Sequence, residues 1–262
     1  MAALAGRCDV VLITLDTLRF DAANACFARG ELPLLARYLP RAGWQQRHSP
    51  ASFTYAAHQA FFAGFLPTPA RPGPHPRLFA LAFPGSETID ARTWVFDDCS
   101  HLPQGFAQAG YRTSCIGGVG FFNPATPLGR VLPAMFEEAF WQPDFAVTAV
   151  NSAEAQIALA CRLLGDDDPR HRFLFINISA LHQPNCHYLP GAVEDTLESH
   201  CAALRHVDAA LEPLFAALRT RGPTLVIVTS DHGTSYGDDG WHGHRHAHPT
   251  VMTVPYSHFL LP

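Results

Sequence analysis

Apolar positions in this chain form two kinds of run, and the two kinds alternate along its length. Unbroken apolar runs at 9–15 (DVVLITL), 111–116, 173–178 (FLFINI), 225–229 and 254–261 lack the alternation of a half-exposed strand, so they predict strands covered on both faces. Between them, apolar residues recur at helical spacing at 32–39, 53–63, 102–109, 152–164 and 196–218. Gly64 and Gly110 stand where two of these helices need a C-terminal cap. Residues 40–50 are expected to lead back toward the sheet. Residues 67–84, with Pro67, Pro69, Pro72, Pro74 and Pro76, read as an extended surface loop. Strand–helix alternation without an internal repeat predicts one α/β domain over residues 1–262, a three-layer α/β/α sandwich on a mostly parallel central sheet.

Composition fits that picture and removes several partners. In 262 residues, 48% are hydrophobic and 16% charged, which describes a packed core rather than a disordered chain. A net charge of −5 provides no basic footprint for nucleic acid or an anionic membrane. The first apolar run ends in a charge, without a signal peptide's basic region and cleavage site, and no apolar stretch is long enough to span a bilayer. Seven cysteines (8, 26, 99, 115, 161, 186, 201) form no CxxC and no even-numbered framework, so reduced thiols and a cytoplasmic location are expected. Lysine is absent, which excludes any mechanism that needs one.

The chemistry gathers at strand ends. The run at 225–228 stops in Thr229-Ser-Asp-His-Gly233, and a loop with His242, His244, His246 and His248 follows. An adjacent Asp231 and His232 at the tip of a buried strand, with a glycine letting the backbone turn, suit a metal site. The first strand ends at Asp16, and the strand at 173–178 leads into His182. Three such ends on one sheet edge predict convergence, and Asp, His and hydroxyl donors together suit Zn²⁺ or Mn²⁺ better than Ca²⁺.

Five segments together resemble the alkaline phosphatase/sulfatase superfamily, including its short bacterial sulfatase-like metalloenzymes and hydrolases. VVLITLDTLRFD is similar to the first strand with its metal-binding aspartate, and SPASFTYAAHQAFFAGFLP to the nucleophile helix. LPQGFAQAGYRTSCIGG resembles the next helix–strand unit, FLFINISALHQP the strand ending in a His-x-Pro turn, and TLVIVTSDHG the second metal-binding element. In sulfatases the nucleophile lies ten residues before the glycine that ends its helix, which here is Thr54 before Gly64. The resemblance then implies a metal held by Asp16, Thr54, Asp231 and His232. His182 matches a histidine that contacts the phosphoryl group or a second, weaker metal. His244, twelve residues after His232, has the spacing of another such histidine, with His242 as the alternative.

The departures from the family pattern narrow the reaction. Sulfatases mature a Cys or Ser in a Cys-x-Pro-x-Arg sequence; Thr54, Ala56 and His58 stand at those positions, so that maturation is not expected. Sulfatases also hold sulfate with lysines, whereas Gly117-Gly118 occupies the corresponding Gly-Lys position. His58, one helical turn after Thr54, is a candidate anion donor in place of the arginine. Arg19 and Asp21 are expected to be structural, and His246 and His248 to be supporting or surface residues. The implied activity is metal-dependent hydrolysis of a small-molecule phosphate ester, a diester or phosphonate rather than a sulfate. The alternatives are a phosphotransferase using the same site and a catalytically silent metal-binding partner protein.

Overall fold

A computed structural model describes residues 6–64 and 100–262. The proline-rich stretch expected at 67–84 and Cys99 lie outside the described residues. Seven strands form one sheet: β1 (Asp9–Leu15), β2 (Gln45–His48), β3 (Arg112–Ile116), β4 (Glu138–Phe140), β5 (Arg172–Ile178), β6 (Thr224–Thr229) and, last in the chain, β9 (Thr253–Leu261). Their spatial order is β2-β9-β6-β1-β5-β3-β4. β9 pairs antiparallel with both β2 and β6, whereas β1 pairs in parallel with β5 and β6, and β3 with β4 and β5. A separate hairpin joins β7 (Ser235–Asp238) to β8 (Trp241–Gly243). This is the mostly parallel α/β sheet that the apolar runs predict.

Strand β1 shows why the layers form. Every residue from Asp9 to Leu15 is buried. Val11, Ile13 and Leu15 join a core with α1 (Phe20–Ala28), α4 (Ser152–Leu164), α5 (Leu197–Ala210) and α6 (Glu212–Arg221). Val10 and Leu12 point the other way, against Ala56, Ala57 and Phe62 of α2 (Thr54–Ala63). Successive side chains of a strand face opposite sides, so a continuous apolar run buries itself between two helical layers. Helix α3 (Leu102–Gln108) adds Phe106 to the α2 side, stacked on Phe173 with ring centroids 4.3 Å apart.

Several elements differ from the pattern-based expectation, each for a local reason. The helix expected at 196–218 is two helices, because Pro213 falls in the first turn of α6 and cannot continue α5. Thr196 starts α5 with a reciprocal capping box to Ser199. The helix expected at 32–39 reduces to a single 3₁₀ turn, Leu35–Arg37, while α1 was not anticipated. Strand β2 (QQRH) is an exposed edge strand and therefore has no apolar run to announce it. The histidine loop contains the β7–β8 hairpin and a one-turn helix, α7 (Pro249–Met252). No helix among the described residues is long and apolar enough to cross a membrane.

Candidate metal centre and active site

The three central strands β6, β1 and β5 all end on the same sheet edge, and their tips carry the candidate ligands. One ligand atom from each of Asp16, Asp231 and His232 lies within 4.8 Å of the others, and all three residues are buried. Thr54 joins them as the first residue of α2, with Oγ1 3.4 Å from Asp16 Oδ2 and 3.3 Å from His232 Nε2. The four residues that the resemblance implies as ligands are therefore neighbours in space. His232 accepts nothing at Nδ1: that N–H donates to the Gly233 carbonyl at 2.8 Å, which leaves the Nε2 lone pair toward the cluster. A metal-ligating histidine needs this tautomer.

The electrostatics show what the cluster lacks. Asp16 Oδ1 and Asp231 Oδ2 are buried and have no hydrogen-bond partner. Burial first, and the charge of Asp231 second, hold the Asp16 carboxyl well above the usual carboxylate range. Burial alone would raise Asp231 as well, but His232 and His58, with the N–H groups of Thr17 and His232, outweigh it and hold it below that range. Two buried carboxylates with unpartnered oxygens, and no arginine between them among the described residues, are costly unless a cation offsets their charge. Two carboxylates, an imidazole nitrogen and a hydroxyl supply four donors, a set that fits Zn²⁺ or Mn²⁺. The residues present thus fit the divalent metal that the family uses.

A layer of supporting groups fixes these donors. Asn177 Nδ2 donates to Asp16 Oδ2 at 3.0 Å and to Thr14 Oγ1 at 3.2 Å, while Asn177 Oδ1 accepts from Val119 N–H at 3.2 Å. Thr17 sits at φ 62°, a left-handed conformation rare for a β-branched residue, and its N–H reaches Asp231 Oδ1 at 3.2 Å. Sequence reasoning missed Thr14, Thr17 and Asn177. Asn177 had a readable signal, because an amide inside an otherwise apolar buried strand must find partners.

His58 does not line the cavity above Thr54. Its ring is fully buried among Phe61, Phe62, Phe122 and Phe175, with centroids 5.3–6.1 Å away. Its Nδ1–H donates to the Thr54 carbonyl at 2.7 Å, and Nε2 pairs with Thr14 Oγ1 at 3.1 Å. Burial pushes its pKa down, and both ring nitrogens are occupied, so it braces the start of α2 from below instead of meeting an anion.

Glycines pinch the site from two sides. A Cβ on Gly118 would lie 2.4 Å from the Asn177 carbonyl oxygen, and one on Gly233 1.9 Å from the Thr250 carbonyl oxygen. Above Thr54 opens a cavity of about 310 Å³. Its polar lining includes Thr54, Asn123, Thr126, His182 and His244, and its apolar lining includes Val119, Phe121, Leu128 and Val147.

The histidines sort clearly. The ring of His244 lies 4.7 Å from His232 and 5.5 Å from His182, centroid to centroid. His182 donates Nδ1–H to the Gln183 carbonyl at 2.6 Å, and burial lowers its pKa, so it is neutral near pH 7 with Nε2 as acceptor. His242 is exposed on β8, opposite Tyr236. His246 stacks on Trp241 at 4.8 Å, and His248 caps α7. Of the two alternatives from the loop, the structure brings His244 to the site. Arg19, buried, pairs with Asp21 at 2.6 Å and Asp238 at 2.8 Å, which ties the hairpin beneath the first strand.

Comparison with known proteins agrees with this geometry. Among curated proteins, none matches the chain by sequence. Among solved structures, the C-terminal periplasmic domain of phosphoethanolamine transferase EptC from Campylobacter jejuni superposes with a TM-score of 0.63 at 12% identity, over 97% of this chain and 79% of that one. The corresponding domain of EptC from Escherichia coli, in complex with Zn, gives 0.62 at 12% identity over 96% and 72%. The lipoteichoic acid synthase LtaP from Listeria monocytogenes gives 0.62 at 13% identity over 98% and 65%. These likenesses establish a shared fold. The Sulfatase family model matches residues 9–256, nearly the whole chain. The chain belongs to the sulfatase family, whose enzymes are hydrolases and transferases of sulfate or phosphate esters.

Proposed function

We propose that this protein is a phosphoesterase that uses Thr54 as its nucleophile on a phosphodiester or phosphonate ester. The observation that carries this reading is the position of Thr54 Oγ1, at the head of α2, within 3.4 Å of both Asp16 and His232 and open to the cavity. Asp16, Thr54, Asp231 and His232 would hold a divalent ion, Zn²⁺ or Mn²⁺, with His182 and His244 beside it for a weaker second site. When bound, the ion lowers the pKa of a nearby hydroxyl and offsets charge on a phosphoryl oxygen.

The remaining chemistry belongs to the chain. Thr54 Oγ1 attacks phosphorus in line, its proton moves toward Asp16 Oδ2, and the bond from phosphorus to the leaving oxygen breaks, which leaves a phospho-threonine. The start of a helix favours the anion held there. Water then attacks phosphorus from the vacated side, His182 Nε2 accepts its proton, the bond to Thr54 Oγ1 breaks, and the proton taken up by Asp16 Oδ2 returns to Oγ1, restoring the hydroxyl. The fixed Nδ1–H of His182 keeps Nε2 available for that proton.

A transferase would differ only in the acceptor, an alcohol in place of water, and the two solved structures of phosphoethanolamine transferases give that reading support. A silent metal-binding protein would have no use for a hydroxyl at Thr54. Metal-reconstituted protein and its Thr54→Ala variant, assayed on aryl phosphate monoester, diester, phosphonate and sulfate, test the assignment. Diester or phosphonate turnover that disappears in the variant is the expected result, and turnover that survives Thr54→Ala rejects the nucleophile. Product analysis with an added alcohol separates hydrolysis from transfer.

A further inference from the structure

Among the described residues, the cavity above Thr54 offers no ionic complement for a charged organic group. No carboxylate and no guanidinium lines it among the described residues. Asn123 keeps Oδ1 on the Ala125 N–H at 3.0 Å, and Thr126 Oγ1 is engaged by Asn123 and Gly129. Val119, Phe121, Leu128 and Val147 supply the apolar part of the lining. Phe121 is held in place by Phe53 and Tyr55, at ring-centroid distances of 6.1 and 5.7 Å. Thr54, His182 and His244 cluster around His232, where the phosphoryl group would lie, which leaves the apolar residues for what is attached to it.

Size points the same way. The cavity measures about 310 Å³, whereas an apolar cavity of about 150 Å³ already accepts a benzene ring. A phosphoryl group and one aryl ring therefore fit together, within the volume range of small-ligand sites. An ammonium would lose its hydration against valine and leucine and meet no counter-charge among the described lining residues, so a cationic headgroup is disfavoured.

We infer that the ester this site takes carries an uncharged, apolar organic group of about aryl size, seated on the apolar lining of Val119, Phe121, Leu128 and Val147. This rests on the phosphoesterase reading above and names the substrate class within it.

The test is calorimetric titration of metal-reconstituted protein with phenylphosphonate, methylphosphonate, 2-aminoethylphosphonate and inorganic phosphate. These share an oxyanion and differ in the group attached to it, and binding is read without turnover. Phenylphosphonate is expected to bind about 10-fold or more tightly than methylphosphonate, with 2-aminoethylphosphonate no tighter than the methyl compound. Phe121→Ala and, more gently, Val147→Thr are expected to compress the phenyl-to-methyl ratio. Equal binding of phenyl and methyl compounds, tightest binding of the aminoethyl compound, or a ratio unmoved in both variants overturns the inference while the oxyanion site stands. If none of the four binds the metal-loaded protein, the phosphoesterase reading itself fails, and this inference with it.

Discussion

Strand β1 begins at one buried aspartate and is followed directly by another, and the chain treats the two in opposite ways. Asp9, at the entrance, meets Arg221 Nε at 2.6 Å, the Arg172 N–H at 2.9 Å and His171 Nδ1 at 3.2 Å. Around it, buried Arg172 joins Asp166 and Glu138, and Arg112 reaches Glu138 at 2.7 Å and Asp166 at 2.9 Å. Asp16, seven residues later, has only an amide and a hydroxyl on one oxygen and nothing on the other, with a second carboxylate beside it. Around Asp9, arginine supplies the compensating charge. Where two carboxylates stand fully buried beside each other, as at Asp16 and Asp231, a bound cation would offset a burial cost that the metal-free fold otherwise carries.

The contrast predicts a graded series of effects. Thr54→Ala removes the proposed attacking atom and leaves the Asp16–Asp231 pair in place, so turnover should fall by at least about 10³-fold while metal binding weakens far less; single-turnover kinetics beside a metal titration check both. Asp231→Asn should cost more metal affinity than the roughly 100-fold that a supporting residue commands. Asn177→Ala should cost about 10–100-fold in the same titration, because it frees Asp16 to rotate.

The metal-free protein should also respond to pH with a definite sign. Asp16 is held above the ordinary range, so the folded state keeps a proton that the unfolded chain gives up, and apo stability should decline as pH rises from about 4 toward neutrality. Melting curves of apo Asp16→Asn should show that slope flattened and a higher Tm at pH 7. The other end of the sheet should behave conversely. Hydrogen bonding to Arg172 holds Asp166 below its usual value, and Arg112 and Ser114 hold Glu138 below its own although burial opposes them. Their stabilisation is present above the unfolded pKa and is lost as pH falls through the folded one. Arg172→Met should lower Tm by about 2–4 °C per kcal/mol lost and soften that acid limb, with metal affinity unchanged.

Much of this architecture could be read before any coordinates, because it is written in burial. Runs covered on both faces announce β1, β5 and β6, and the polar residue at which each stops marks the edge where ligands meet. Edge strands β2 and β4 and the β7–β8 hairpin are exposed or short and carry no such signature. Side-chain direction was also beyond the sequence. Helical spacing places His58 one turn from Thr54 but cannot say whether the ring meets the cavity or, as found, backs against Phe122 and Phe175. Likewise the spacing of His242 and His244 leaves the choice open, and the β8 turn makes it by exposing one and directing the other to His182 and His232.

The glycines at 118 and 233 have a consequence for how this enzyme can change over generations. At both positions even a methyl group would collide with main-chain oxygen, so neither tolerates drift without displacing Asn177 or the Asp231–His232 turn. The reactive end is thereby closed to gradual exploration. Val119, Phe121, Leu128 and Val147 have no such restraint on the cavity side. A lineage acquiring a new substrate would record its history in those four positions, while the reactive end stayed the same.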